Sequence, residues 1–348
     1  PGPTFSYLTG LQMHLMERPT VLFITSFGQA ALVLPHLEKE KLAGLELELQ
    51  AFTYEDNPAT WGGAFREAIE VLGLAQVKLA AEPSRLRLLE LQFIQAAAPN
   101  AAIIDGSPIV EGLRLKKDTQ ELAKMREAAV IAQKALVETL KHIHPGMSEK
   151  QIAAELVIAL YQAGSDIELP FEPIVSSGPN SANPHAAPSE RLLQEGDLLL
   201  FDWGAGKDGY FSDITRTFTV GEVEPELQHI GEVVLAANAK GREIAAPGMP
   251  AGAVDKAVRA VIESAGYGEY FTHRTGHGLG MEAHEAPYIF GANSQLLAPG
   301  MVFTIEPGIY LPGRGGVRIE DDVVITENGV HSLTDLPRAV VPYNTPFD

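Results

Sequence analysis

Residues 301–322 read MVFTIEPGIYLPGRGGVRIEDD, two apolar strand-like runs on either side of a glycine-rich turn. A hairpin centred on Gly313 sets Glu306 opposite Glu320. Both acids lie among Ile, Phe and Val, where an ionised carboxylate costs several kcal/mol unless a positive group pairs with it. The pattern therefore predicts an antiparallel hairpin whose two carboxylates face a buried cation.

A second acid pair occurs earlier in the chain, where residues 198–213 read LLLFDWGAGKDGYFSD. A hairpin centred between Lys207 and Asp208 sets Asp202 directly opposite Asp213, with Cβ atoms about 4.5–5.5 Å apart. Two like charges at that spacing repel each other unless a cation lies between them. For this hairpin alone, a capping or turn aspartate at each position is the alternative. The recurrence of the pattern in two hairpins favours metal ligands.

A histidine is the candidate for the remaining ligand. His277 lies between two glycines in residues 273–280, HRTGHGLG, and glycine lets a backbone approach its neighbours closely. The same glycines disfavour the helix that a zinc pair with His273 needs, and Tyr288 stands where a zincin motif beginning at His284 needs its second histidine. We therefore predict His277 as a ligand and reject a mononuclear zinc protease. A hydrogen-bonded loop histidine is the alternative.

Composition narrows the classes of function. A formal net charge of -19 repels phosphate backbones, so we expect no nucleic-acid partner. No apolar run of about 18 residues and no signal segment is present, so we expect no membrane contact and a cytoplasmic location. Because the chain has no cysteine, a metal must be held by His, Asp or Glu. One imidazole with four carboxylates suits Mn²⁺, with Co²⁺ or Zn²⁺ as alternatives.

The chain of 348 residues is long enough for two domains. Residues 1–112 alternate strand-like and helical segments, which predicts a small α/β domain. Asp118 with Glu121 and Ser148 with Gln151 are capping signatures that open two helices, which end near Leu140 and near Gly164. We expect residues 113–348 to form the second domain, which contains both acid pairs.

The chain resembles the M24 "pita-bread" metallopeptidases, in particular the Xaa-Pro group that contains prolidase and aminopeptidase P. The resemblance covers roughly residues 112–340 and rests on SGPNSANPH at 177–185, HRTGHGLG at 273–280, HEAP at 284–287, TIEPG at 304–308 and the two hairpins. Residues 1–110 resemble the smaller amino-terminal domain of that group in a shortened form. The resemblance implies an α+β pita-bread catalytic domain preceded by a small α/β domain.

The same resemblance implies two divalent metal ions. Asp202, Asp213 and Glu320 would bind one ion, and Asp213, His277, Glu306 and Glu320 would bind the other. Two ions held in this way activate water and polarise a carbonyl, which suits hydrolysis of a peptide bond.

The resemblance also implies roles around the ions. His185 and His284 would bind substrate and stabilise the tetrahedral intermediate, Glu306 would handle the proton of the attacking water, and Arg318 would support the site. The implied substrates are short Xaa-Pro peptides, and the implied assembly is a homodimer. We favour an Xaa-Pro dipeptidase because HRTGHGLG and HEAP look closest to bacterial and archaeal prolidases. An aminopeptidase P acting on longer peptides and a non-catalytic pita-bread binding module are the alternatives.

Overall fold

A computed structural model describes residues 1–346. The contacts divide the chain into one unit of Pro1–Arg114 and a second unit that begins at Leu115. Among residues 1–346, no helix has both the length and the apolar content that crossing a bilayer requires. Each unit has its own hydrophobic core.

The first unit is a small α/β domain. Strand β2 pairs with β1 antiparallel and with β3 parallel, while β4 and β5 form a separate parallel pair. Helix α2 buries Phe65 and Ile69 against Val33 and Phe52 of the larger sheet. The elements are α1 Pro3–Thr9, β1 Val21–Ile24, β2 Ala30–Pro35, β3 Gln50–Tyr54, α2 Trp61–Val71, β4 Lys78–Ala81, α3 Leu88–Ala97, β5 Ala102–Asp105 and α4 Ser107–Arg114.

The second unit contains two helix pairs and two main sheets. One sheet has the strand order β10-β7-β6 and the other β12-β11-β13-β16-β17, with short pairs β8-β9 and β14-β15 beside them. The elements are α5 Thr119–Leu140, α6 Glu149–Ala163, β6 Ile174–Ser177, β7 Leu198–Trp203, β8 Gly206–Lys207, β9 Tyr210–Phe211, β10 Ile214–Thr219, α7 Pro225–Ile244, α8 Ala251–Ser264, β11 Gly276–Gly278, β12 Glu285–Ile289, β13 Val302–Ile305, β14 Gly308–Leu311, β15 Gly315–Arg318, β16 Asp321–Thr326 and β17 Gly329–Ser332.

The two helix pairs cover different sheets. Helices α5 and α6 bury Leu136 and Leu156 against Phe201 of β7, while α7 and α8 pack on the strands that hold Phe303. Both predicted capping boxes are present, at Asp118 for α5 and at Ser148 for α6. Each half of the unit therefore contributes one helix pair, one sheet and one of the acid-bearing hairpins.

The register of the later hairpin is confirmed. Pairs on both sides of Glu306 and Glu320, such as Ile305 with Asp321 and Gly308 with Arg318, all fit a hairpin centred on Gly313. Glu306 and Glu320 lie between these paired segments, at register positions that face each other.

The register predicted for the earlier hairpin is wrong by two residues. Asp202 pairs with Thr215 rather than with Asp213, because the chain turns at Asp208 and Gly209 instead of at Lys207 and Asp208. Both turn residues have positive φ, 48° and 77°, which is typical of the type I′ turn that an Asp-Gly pair favours. A shift of two residues keeps side chains on the same face, so Asp213 becomes a diagonal neighbour of Asp202.

Candidate metal centre

The two hairpins meet at Thr215 and Glu320. The backbone N–H of Glu320 donates to the Thr215 carbonyl at 3.1 Å, and the Thr215 hydroxyl donates to Glu320 Oε2 at 2.5 Å. Because Thr215 is also the strand partner of Asp202, this contact brings both acid pairs to one place. The convergence joins segments 105 residues apart in the sequence.

His277 completes the cluster. Ligand atoms of Asp213, His277 and Glu320 all lie within 4.8 Å of one another, and all three residues are buried. His277 Nε2 is 3.7 Å from Asp213 Oδ2 and 3.4 Å from Glu306 Oε1. Its Nδ1 lies 3.1 Å from the Gly278 carbonyl, which makes Nδ1 the protonated nitrogen and leaves the Nε2 lone pair free for a metal.

Asp202 lies at the same cluster with one oxygen engaged. Arg318 donates a hydrogen bond to Asp202 Oδ2. Within residues 1–346, Asp202 Oδ1 and Asp213 Oδ1 are buried without any hydrogen-bond partner. Buried carboxylate oxygens are rarely left unpaired, so these two atoms are suited to bind a cation. The donor set of oxygens and one imidazole fits divalent metal ions.

Electrostatics support the same conclusion. Burial, then repulsion from Glu320 and Asp202, raises the pKa of Asp213 well above its ordinary value. Burial, then repulsion from Glu306 and Asp202, likewise raises the pKa of Glu320. Burial raises the pKa of Glu306 to about 8 despite the positive charge of Arg318. With its pKa at about 8, Glu306 is mostly protonated at neutral pH without a cation beside it, and divalent ions would favour the ionised form of all three acids.

The glycines around His277 are required by the neighbouring strands. A Cβ at Gly276 would lie 1.8 Å from the Thr304 carbonyl oxygen, and one at Gly278 would lie 2.1 Å from the Ala286 carbonyl oxygen. Strand β11 is held between β12 and β13, so both positions need the close backbone approach that glycine allows. This packing fixes the backbone that carries His277.

Two predicted histidines lie at the rim of the cluster. His284 is exposed, and its ring packs edge-on against His277 with centroids 4.0 Å apart. The partial desolvation of the ring, then the charge of Arg274, lowers the pKa of His284. His185 is exposed and lies near enough to contribute to the lowered pKa of both His273 and His284.

Arg318 belongs to a hydrogen-bonded chain with Tyr310 and His273, two residues that the sequence does not predict as part of the site. Arg318 donates to the Tyr310 hydroxyl at 2.8 Å, and that hydroxyl lies 2.8 Å from His273 Nε2. Burial, then the charge of Arg318, lowers the pKa of His273 to about 4, so its imidazole is neutral and accepts from Tyr310. Alternation along β14 puts Tyr310 on the same face as Glu306, and this signal could have identified it.

Comparisons with known proteins agree with this geometry. The family described as "Metallopeptidase family M24" matches residues 123–327, and "Creatinase/Prolidase N-terminal domain" matches residues 2–116. An Xaa-Pro dipeptidase of Lactobacillus helveticus is 36% identical, over 95% of this chain and 90% of its own. A crystal structure of a dipeptidase from Pyrococcus horikoshii OT3 is 38% identical, with a TM-score of 0.93, over 98% of this chain and 94% of its own. The structure of an X-Pro aminopeptidase from Thermotoga maritima MSB8 is 32% identical, with a TM-score of 0.84, over 97% of this chain and 93% of its own.

Proposed function

Because this chain belongs to metallopeptidase family M24, we propose that it is an Xaa-Pro dipeptidase that works with two divalent metal ions. The resemblance stated from the sequence, including the pita-bread fold behind a smaller amino-terminal domain, is confirmed. One observation carries the proposal. Asp213, His277 and Glu320 converge, with Glu306 beside them, and buried carboxylate oxygens there have no partner among residues 1–346.

Five residues would hold the ions. Asp202, Asp213 and Glu320 would bind one ion, and Asp213, His277, Glu306 and Glu320 would bind the other. When bound, the ions supply a Lewis acid for the scissile carbonyl and lower the pKa of the attacking water. The contact between Asp213 and His277 and the bridge from Glu320 to Thr215 support this assignment.

The protein groups around the ions have separate tasks. Glu306 is the group that takes the proton of the attacking water, since its carboxylate lies at the edge of the cluster with part of its side chain exposed. His284 and His185 at the rim donate hydrogen bonds to the oxyanion that forms from the substrate carbonyl. Arg318 keeps Asp202 and Tyr310 in place.

Arg274 is our candidate for recognising the end of the dipeptide. A dipeptidase must bind the free carboxylate that follows proline, which calls for a cation near the site. Arg274 is half-buried and lies over the ring of Tyr288 at 4.6 Å. Its charge contributes to the pKa of Glu306, His277 and His284, so it lies close to the cluster.

The first experiment compares hydrolysis of Met-Pro, Met-Pro-Ala and a longer Xaa-Pro peptide, each with Mn²⁺ and with chelator. We expect chelator-sensitive cleavage of Met-Pro alone. Cleavage of the longer peptides would favour the aminopeptidase, a reading supported by the T. maritima relative. Failure to cleave any of the peptides would overturn the peptidase proposal and favour the binding module.

Four further points remain predictions: manganese as the metal, a homodimer as the assembly, the cytoplasm as the location, and a domain boundary between residues 112 and 113. Metal analysis of protein purified without added metal tests the first of these. Sedimentation tests the second, and fractionation of the source cells tests the third. Expression of residues 113–348 alone tests the last, because a correctly placed boundary should give a folded fragment.

A further inference from the structure

One buried carboxylate holds both ends of the segment that carries His185. Glu149 is the first residue of α6 and is fully buried. Its Oε1 accepts hydrogen bonds from the Ser177 N–H at 2.7 Å and the Ser177 hydroxyl at 2.8 Å. Its Oε2 accepts from the Ser189 N–H at 3.0 Å and the Ser189 hydroxyl at 2.6 Å. The side-chain amide of Asn180 donates to both oxygens, at 3.1 and 3.0 Å.

This arrangement requires a carboxylate. Each oxygen of Glu149 accepts from three N–H or O–H groups, and the donors are amides and hydroxyls rather than cations. Charge-assisted hydrogen bonds and the amino-terminal end of α6 compensate its buried charge. A glutamine would turn one oxygen into a donor that faces other donors, and would therefore release one end of the segment.

The segment between Ser177 and Ser189, which we call the His185 loop, has a further anchor at its middle. The Gly316 N–H of β15 donates to the Ser181 hydroxyl at 2.8 Å, two residues from Arg318. His185 itself makes a local hydrogen bond, from its backbone N–H to Asn183 Oδ1 at 3.1 Å. The position of the exposed imidazole therefore depends on how firmly the ends of the loop are held.

We propose that Glu149 is a positioning residue for catalysis, which acts by holding the His185 loop so that the His185 imidazole faces the metal centre. The inference rests on the proposed function, in which His185 contacts the substrate. The hydrogen bonds of Glu149 go to Ser177, Asn180 and Ser189, and none of these is a predicted metal ligand. We expect the effect of Glu149 on the reaction to pass through His185, so the two residues should be energetically coupled.

A double-mutant cycle tests this coupling. We expect Glu149→Gln to lower kcat/KM about 10- to 100-fold with metal content unchanged, because a shift of about 1 Å in a positioned group has an effect of that size. In a His185→Ala background the same substitution should change kcat/KM less than about twofold. An equal loss in both backgrounds, or no loss in either, would overturn the proposal.

Glu121→Gln is the matched control. Glu121 is a buried glutamate in the first turn of α5, and it accepts from the Asp118 N–H at 2.7 Å and the Tyr210 hydroxyl at 2.8 Å. Both partners of Glu121 lie outside the His185 loop, so the effect of Glu121→Gln should be the same with and without His185→Ala. If Glu149→Gln does not fold, Ser189→Ala removes one donor and should show the same coupling at a smaller size.

Hydrogen exchange gives a readout that does not depend on activity. Amides in residues 177–189 should exchange at least about tenfold faster in Glu149→Gln, and those of α7 and α8 should not. Unchanged exchange in this loop would refute the proposal that Glu149 holds it, whichever peptide the enzyme cleaves. A wild-type protein that fails to cleave Met-Pro would refute only the proposed function, and the cycle would then use any dipeptide that it does cleave.

Discussion

Binding of metal to the metal-free protein should release protons. Burial, and then repulsion from neighbouring acids such as Asp202, raises the pKa values of Asp213, Glu306 and Glu320. With its pKa at about 8, Glu306 is about nine-tenths protonated at pH 7. The ions need ionised ligands, so metal binding at pH 7 should expel about one proton from Glu306. Metal affinity should then rise about tenfold per pH unit for each proton released.

Calorimetry measures this number directly. Mn²⁺ is titrated into protein freed of metal by chelation, in buffers of equal pH and different ionisation enthalpy. The slope of the observed binding enthalpy against the ionisation enthalpy of the buffer gives the number of protons released. Glu306→Gln is the matched variant, and it should release about one proton fewer, because its side chain carries no titrating proton. Release of no protons by the wild type would refute the account of a mutually repelling acid cluster.

Three further predictions follow from the site and its strands. Because the folded-state pKa of Glu306 is raised from 4.5 to about 8, its contribution to the stability of the metal-free protein should be fully present below about pH 4.5. That contribution should then fall by about 1.4 kcal/mol per pH unit up to about pH 8. Urea unfolding with and without Mn²⁺ should show this slope only without the ion. Gly276→Ala should lower the free energy of unfolding by about 1–3 kcal/mol or more, since the added Cβ meets the Thr304 carbonyl. Gly112→Ala, where nothing lies within 4 Å, is its control in the same unfolding assay, and an equal loss there would contradict the packing argument. Arg274→Met should raise KM for Met-Pro about tenfold or more in steady-state kinetics and leave His277 metal-bound, whereas an unchanged KM would exclude Arg274 as the carboxylate partner.

The later hairpin could be predicted from the sequence because its turn offers one centre. Gly313 has a φ of 75° and stands midway between two apolar runs of similar length. The earlier hairpin offered two centres that differ by two residues. The Asp208-Gly209 pair suits a type I′ turn better than Lys207-Asp208 does, so turn chemistry would have given the correct register.

The meeting of the hairpins lay beyond sequence reasoning. Local patterns give the face on which an acid lies, but no pattern in either segment indicates that Thr215 bonds to Glu320. His273 and Tyr310 lie 37 residues apart in the sequence, so no local pattern predicts their hydrogen bond. Glu149 lies within the capping signature of Ser148 and Gln151, and its hydrogen bond to Ser189 spans 40 residues.

The contact between Thr215 and Glu320 also bears on the order of folding. Contacts between distant segments form late, because closing a long loop costs entropy before the contact stabilises anything. A chain with only its earlier half folded would hold Asp202 and Asp213 without an imidazole. Tight retention of metal is therefore a property of the completed fold, and a metal-affinity assay separates native chains from those arrested halfway.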